Sequence, residues 1–239
     1  MLALCGVVGL GAGACVGSEE SAPLRILGNV APGDGCSVDS ASTTFYDDGV
    51  IEAGSTFGYI FTPTVRNDLQ TVGDELIGPK TIYVTHARVS LRFYDPAFED
   101  ITSDNSLLVF QVPTSGSIEP NGGLSAFSFE VTPPELLALI GQRLGGPTLE
   151  NPRPRTTLDA RVQLYGSRGG GGGEEVSNVY RYPIEVCNGC LSADLGACVD
   201  LPADFEARTG GVCNTDQDGI VDCCDNFTVC PAVAPEPEV

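Results

Sequence analysis

The residues with the most evident chemistry lie near the C-terminus, where oxygen-bearing side chains recur at alternate positions: Asn214, Asp216 and Asp218, then Gly219, then Asp222 and Asp225. A hard divalent cation takes six to eight oxygens. A loop can supply them from side chains at positions 1, 3, 5, 9 and 12 and a backbone carbonyl at 7, with a glycine at 6 for the sharp turn. Counted from Asn214, the ligands are Asn214, Asp216, Asp218, Asp222 and Asp225 with the carbonyl of Ile220, and Gly219 makes the turn. The spacing predicts one bound calcium ion. It departs from the helical form of such loops in having Asp at position 12 and cysteines rather than amphipathic helices as flanks. The bland alternative is a solvated acidic turn.

Seven of the ten cysteines, Cys187, Cys190, Cys198, Cys213, Cys223, Cys224 and Cys230, fall around this run. So short a segment buries too little apolar surface to repay its chain entropy, which predicts covalent staples. Zinc at Cys187-x-x-Cys190 competes, but the region has no His, no second clean CxxC, and an adjacent Cys223-Cys224 pair that suits a disulfide knot better. Cys36 stands alone near the N-terminus. Its partner is expected at the far end, so one bridge should enclose everything between. Eight cysteines allow about 105 pairings, and spacing alone does not choose among them.

The run from 214 to 226 resembles a single thrombospondin type 3 repeat, whose pattern is Asp-x-Asp-x-Asp-Gly-Ile-x-Asp-x-x-Asp-Asn-Cys-Pro. Phe227 and Thr228 stand where that family has Cys-Pro, and one copy is present where the family stacks several. The resemblance implies helix-free, disulfide-flanked calcium binding. It covers 13 of 239 residues and implies nothing about the rest.

Residues 1–14, MLALCGVVGLGAGA, are uncharged and apolar or Gly, too short to span a bilayer and suited to a signal-peptide core. Ala12-Gly13-Ala14 fits ordinary cleavage, and the same residues before Cys15 resemble a bacterial lipobox. Parity favours lipidation of Cys15: losing Cys5 with the signal and acylating Cys15 leaves Cys36 and the seven C-terminal cysteines, an even set. Residues 15–40, rich in Gly and Pro, read as a lipid-attached tether.

From 41 to 186 the pattern is one of strands. Ala87, Val89, Leu91 and Phe93 alternate with His86, Arg88, Ser90 and Arg92, a period of two with one wet face. Strands are expected at 81–94, 57–65, 107–112, 124–131, 158–165 and 176–186, with a shorter one at 43–47. This predicts a mainly β fold, an antiparallel β-sandwich of Ig-like architecture. One helix is expected from the capping box at Thr132-Pro-Pro-Glu135, with an apolar stripe of Leu136, Leu137, Leu139, Ile140 and Leu144. Ala87-Arg-Val-Ser-Leu91 is echoed by Ala160-Arg-Val-Gln-Leu164, through duplication or chance. A small disulfide-rich calcium module follows at 187–230, and the Pro-rich end, 231–239, is expected to be disordered.

Composition excludes some functions. The net charge is −20 with 12 Lys and Arg, which removes nucleic acid as a partner. The only His, His86, lies on a wet strand face, and no GxSxG, HExxH or dinucleotide loop occurs. A glycine run at 169–173 lacks the Lys-Ser/Thr of a P-loop. The overall style is similar to that of myxobacterial surface lipoproteins, which implies export to the outer membrane or cell surface. The sequence thus leads to a non-enzymatic binding or structural module, attached to membrane through its lipid. A calcium-dependent carbohydrate or adhesion module is the first alternative, and a hydrolase with an unrecognised site the second. With no Trp, sugar stacking would fall to Tyr59, Tyr83, Tyr94, Tyr165, Tyr180 and Tyr182.

Overall fold

The structure, a computed structural model, describes residues 22–73, 76–202 and 204–225. The leader, Cys15, Asn226, Cys230 and the 231–239 tail lie outside the described residues. The fold is mainly β with one short helix. In chain order the strands are β1 (Leu24–Val30), β2 (Phe45–Tyr46), β3 (Gly49–Glu52), β4 (Ile60–Phe61), β5 (Pro63–Asn67), β6 (Ile82–Phe93) and β7 (Val109–Ile118). There follow β8 (Gly123–Ala126), β9 (Phe129–Glu130), helix α1 (Pro134–Leu144), β10 (Arg155–Arg168), β11 (Glu174–Val176), β12 (Tyr180–Cys187), β13 (Ser192–Asp194) and β14 (Val221–Cys223).

A four-stranded sheet runs β2-β1-β5-β8, and a six-stranded sheet runs β3-β12-β10-β6-β7, with β11 on β10. Their inner faces share one core: Leu24, Ile26 and Val65 from the first, Ala87, Val89, Leu91, Leu158, Ala160, Val162, Leu164, Ile184 and Val186 from the second. The alternation places these residues, because successive side chains on a strand point to opposite faces. The echoed pentapeptides are adjacent strands of one sheet, with Leu91 opposite Ala160, Val89 opposite Val162 and Ala87 opposite Leu164. Sharing one buried face accounts for their common apolar positions.

Four expectations are corrected. Residues 24–30 are not tether but a strand paired with β5, with Leu24, Ile26 and Val30 buried. A register shift between Ile26 and Gly28 breaks the alternation that would have revealed it. The six-stranded sheet is not wholly antiparallel, since β3 pairs β12 in parallel. The 57–65 strand starts only at Ile60, leaving Phe57 exposed. The helix forms with proline in its first turn, but the capping box does not: the cap residue is Pro133, and Thr132 Oγ1 instead accepts the Tyr59 N–H at 2.7 Å. That hydroxyl continues the local strand pairing in which Val131 N donates to Tyr59 O. Leu136, Leu137 and Ile140 seat the helix on the core.

Candidate functional site

The C-terminal segment is not a separate module hung from the sandwich. It is sewn to the exposed edge of β3. Asp218 N donates to Val50 O and Glu52 N donates to Asp216 O, so residues 216–218 act as a short extra strand on that edge. An uncovered edge is a template for unwanted pairing, and covering it removes the hazard. The buried Gln217 extends the seam: its Oε1 accepts Ile60 N at 2.7 Å and its Nε2 donates to Ile60 O at 2.9 Å. Asn214, also buried, donates to Gly58 O and Ser55 Oγ. On the other side Glu52 accepts the N–H groups of Gly189 and Leu191, fixing the turn that follows β12.

Disulfides reinforce this seam. Cys36 pairs with Cys213 across 177 residues, Cys187 with Cys190 and Cys198 with Cys224, and Cys223 is also disulfide-bonded. These sulfurs are therefore not thiolate ligands. The two three-residue clusters with metal-ligand atom types among the described residues, Glu52 with Cys187 and Cys190, and Cys198 with Cys224 and Asp225, each contain two of them.

At the centre of the seam is Asp218. The residue is exposed on its outer side, but its carboxylate turns inward: Oδ1 accepts Val50 N at 2.7 Å, and Oδ2 accepts the Tyr59 hydroxyl at 2.6 Å and Gln217 Nε2 at 3.1 Å. Tyr59 and Tyr182, both fully buried, meet hydroxyl to hydroxyl at 2.8 Å, and Tyr182 donates to the Asp48 carbonyl at 2.5 Å. Desolvation pushes both phenols well above their ordinary range. Desolvation likewise raises Asp218, aided by the nearby charge of Asp48 and opposed by the hydrogen bonds from Tyr59, Val50 and Gln217. Three oxygen-to-oxygen contacts join Asp218, Tyr59, Tyr182 and the Asp48 carbonyl in one chain, with the Tyr59 hydroxyl donating to Asp218 and the Tyr182 hydroxyl to Asp48. Two small cavities flank the carboxylate. One of about 140 Å³ lies against Pro32, Tyr46 and Asn214, and one of about 270 Å³ against Asp48, Leu191 and Ile220.

Most of the predicted calcium ligands have hydrogen-bond partners of their own. Asn214 Oδ1 accepts Asp216 N. Asp218 is committed to Tyr59 and Val50. The Ile220 carbonyl accepts Gly210 N, and Asp225 Oδ1 accepts Cys198 N. Asp222 is held by the Arg208 side chain and backbone N–H; those hydrogen bonds keep its carboxyl below the usual range. Its side chain is only 3% exposed, whereas that of its partner Arg208 is 55% exposed. Gly219 is needed for a different reason from the one its place in the loop implied. The left-handed turn is made by Asp218, and a Cβ on Gly219 would lie 2.4 Å from the Gly210 carbonyl carbon. An ion held by all of these residues would have to draw Asp218 and Asp222 from separate partners. Titration of the oxidised protein to millimolar calcium, with Asp218→Ala beside wild type, tests the predicted loop. A calcium-dependent rise in melting temperature that Asp218→Ala abolishes is the result expected of a calcium loop, and no saturable heat is that expected of a solvated acidic turn.

The six tyrosines proposed for sugar stacking divide sharply. Tyr59 and Tyr182 are core residues with no free ring face, whereas Tyr83 and Tyr94 are exposed. His86 lies on the outer sheet face, stacked on Tyr165 with centroids 4.8 Å apart. Sequence reading missed Tyr59, Tyr182, Gln217 and Glu52 as seam residues. The pairing of 217 and 218 with residues more than 150 positions earlier leaves no local pattern to find.

No family model, no curated protein and no solved structure matches the chain.

Proposed function

We propose that the chain is an exported, lipid-anchored cell-envelope protein acting as a non-enzymatic binding or structural module. The observation that carries this reading is how the C-terminal segment uses its reactive groups. Its disulfide cysteines and inward-turned polar side chains close the sandwich edge rather than converge on a substrate-sized cavity. Disulfides on this scale suit an oxidising compartment, which favours export. A rigid, edge-protected sandwich suits a protein that must persist outside the cytosol and present a surface.

The anchor rests on Cys15. Metabolic labelling with a fatty acid is expected to mark the wild-type chain in the envelope fraction, and Cys15→Ala is expected to lose both label and membrane retention. Release of wild type and Cys15→Ala to the same extent would remove the anchor. Turnover of any substrate in a hydrolase panel would remove the non-enzymatic reading. The concavity of about 570 Å³ lined by Arg153, Ser192 and Asp194 is where such an activity would be sought first, although no His or Cys lines it.

A further inference from the structure

A protein with 32 Asp and Glu against 12 Lys and Arg should not present a positive face by accident. The outer face of the six-stranded sheet does so. Arg88 and Arg92 project from β6, Arg161 from the neighbouring β10 and Arg181 from β12, with Ser90 opposite Arg161 and Arg161 opposite Arg181 in the ladder. One carboxylate, Asp159, sits among them. It is 5% exposed and shared by two of the four, accepting Arg161 Nε at 3.0 Å and an Arg181 terminal nitrogen at 2.8 Å. Burial opposes ionisation of Asp159, but the hydrogen bonds from Arg181 and Arg161 prevail and hold its pKa down. The patch therefore keeps a surplus of positive charge. The Arg88 and Arg92 guanidinium groups are exposed and have no hydrogen-bond or ion-pair partner among the described residues. Arg88 is flanked across the ladder by Gln111 and Gln163.

Strand geometry fixes the layout. Arg88 and Arg92 are about 13 Å apart along β6, and β12 lies about 10 Å to the side, so the cations form an open lattice on a flat surface. None of the concavities described above is lined by these arginines, which disfavours a single small anion and favours an extended one held at several points. The guanidinium fork matches carboxylate bidentately, while Ser90, Gln111 and Gln163 offer neutral groups suited to hydroxyls. Nucleic acid fits less well, because His86 and Tyr165 stack on each other and the exposed Tyr94, whose hydroxyl accepts a hydrogen bond from an Arg181 terminal nitrogen at 3.4 Å, is a single ring where successive bases need several. The charge elsewhere on the protein is screened beyond about 8 Å at physiological ionic strength, so the local surplus governs contact.

We propose that this arginine-lined sheet face binds a carboxylate-bearing polysaccharide. This deepens, and rests on, the binding-module reading above. The bulge in β6 contributes by its position. The register shifts between Val84 and His86, so the phase of the strand changes there and His86 and Arg88 share the outer face with Arg92.

The test uses the full oxidised chain in affinity electrophoresis and titration calorimetry with polygalacturonate, neutral dextran, a single-stranded oligonucleotide and vesicles containing phosphatidylglycerol. Polygalacturonate is expected to bind in a salt-sensitive way, and dextran not at all. The double variant Arg88→Gln/Arg92→Gln, at two exposed and unpartnered positions, is expected to keep the wild-type melting temperature and bind about tenfold or more weakly, as expected for lost charge-assisted contacts. Failure to bind polygalacturonate, unchanged affinity in the double variant, or equal or tighter binding to oligonucleotide or vesicles would overturn the proposal while leaving the non-enzymatic reading intact. Depolymerisation of bound polygalacturonate would overturn the non-enzymatic reading while leaving this face in place.

Discussion

Replacing Cys36 and Cys213 together by Ala is expected to cost roughly 5 kcal/mol, the largest effect of any pair in the protein. In the chain-entropy account a disulfide stabilises by restricting the unfolded chain, and the gain grows with the logarithm of the loop it closes. This bridge spans 177 residues, against 26 for Cys198–Cys224 and 3 for Cys187–Cys190. The same relation gives about 3.5 and about 2 kcal/mol for the shorter loops, so the three double variants should rank in that order. For a domain of this size each kcal/mol moves the midpoint by about 2–4 °C, which puts the Cys36/Cys213 variant roughly 10–20 °C below wild type by calorimetry. Position adds to the effect, because Cys213 directly precedes Asn214 and the residues that cover the β3 edge. Losing the bridge frees the end of the seam as well as lengthening the unfolded chain. A Cys36/Cys213 variant that melts above the Cys187/Cys190 variant would show that native contacts, not loop closure, hold the C-terminal segment.

Where the sequence predicted well, one local regularity carried the signal. The period of two in 86–93 and 158–165 placed the two central strands correctly, because each keeps one face on the core for most of its length. β1 was lost because its register shift brings Gly28, Asn29 and Val30 inside in succession, which reads as irregular. The acidic run hides a seam residue in the same way. Alternating Asn214, Asp216 and Asp218 draws the eye to a cation loop and says nothing of the residues between them. Gln217, read as a spacer, is the residue that enters the protein and pairs with Ile60. Thr132 is a third case: its hydroxyl had a helix terminus and an unpaired Tyr59 N–H in reach, and the long-range partner won. In each case the deciding contact spans dozens of residues or more, and no window of sequence contains both ends.

The second large effect is expected at Tyr59. Tyr59→Phe removes one buried hydroxyl that touches both Asp218 and Tyr182, and a buried hydrogen bond is worth about 0.5–1.5 kcal/mol, so a loss of about 2 kcal/mol is expected from the two together. The pH dependence identifies the cause. Asp218 has a folded-state pKa above its ordinary value, so the folded protein binds its proton more tightly than the unfolded chain does. Its stabilising contribution is complete below the unfolded value of about 4 and is lost as pH rises through the raised folded value. Asp218→Asn imitates the uncharged state: its amide oxygen can still accept a hydrogen bond, and no charge is left to desolvate. Urea denaturation from pH 4 to 8 is therefore expected to show wild type losing stability relative to Asp218→Asn as pH increases. In Tyr59→Phe the hydrogen bond that restrains the shift is gone, so the loss should move to higher pH. Parallel curves for wild type and Asp218→Asn, or a Tyr59→Phe variant as stable as wild type, would mean that the inward-turned carboxylate is solvated and that the edge is held by backbone pairing and disulfides alone.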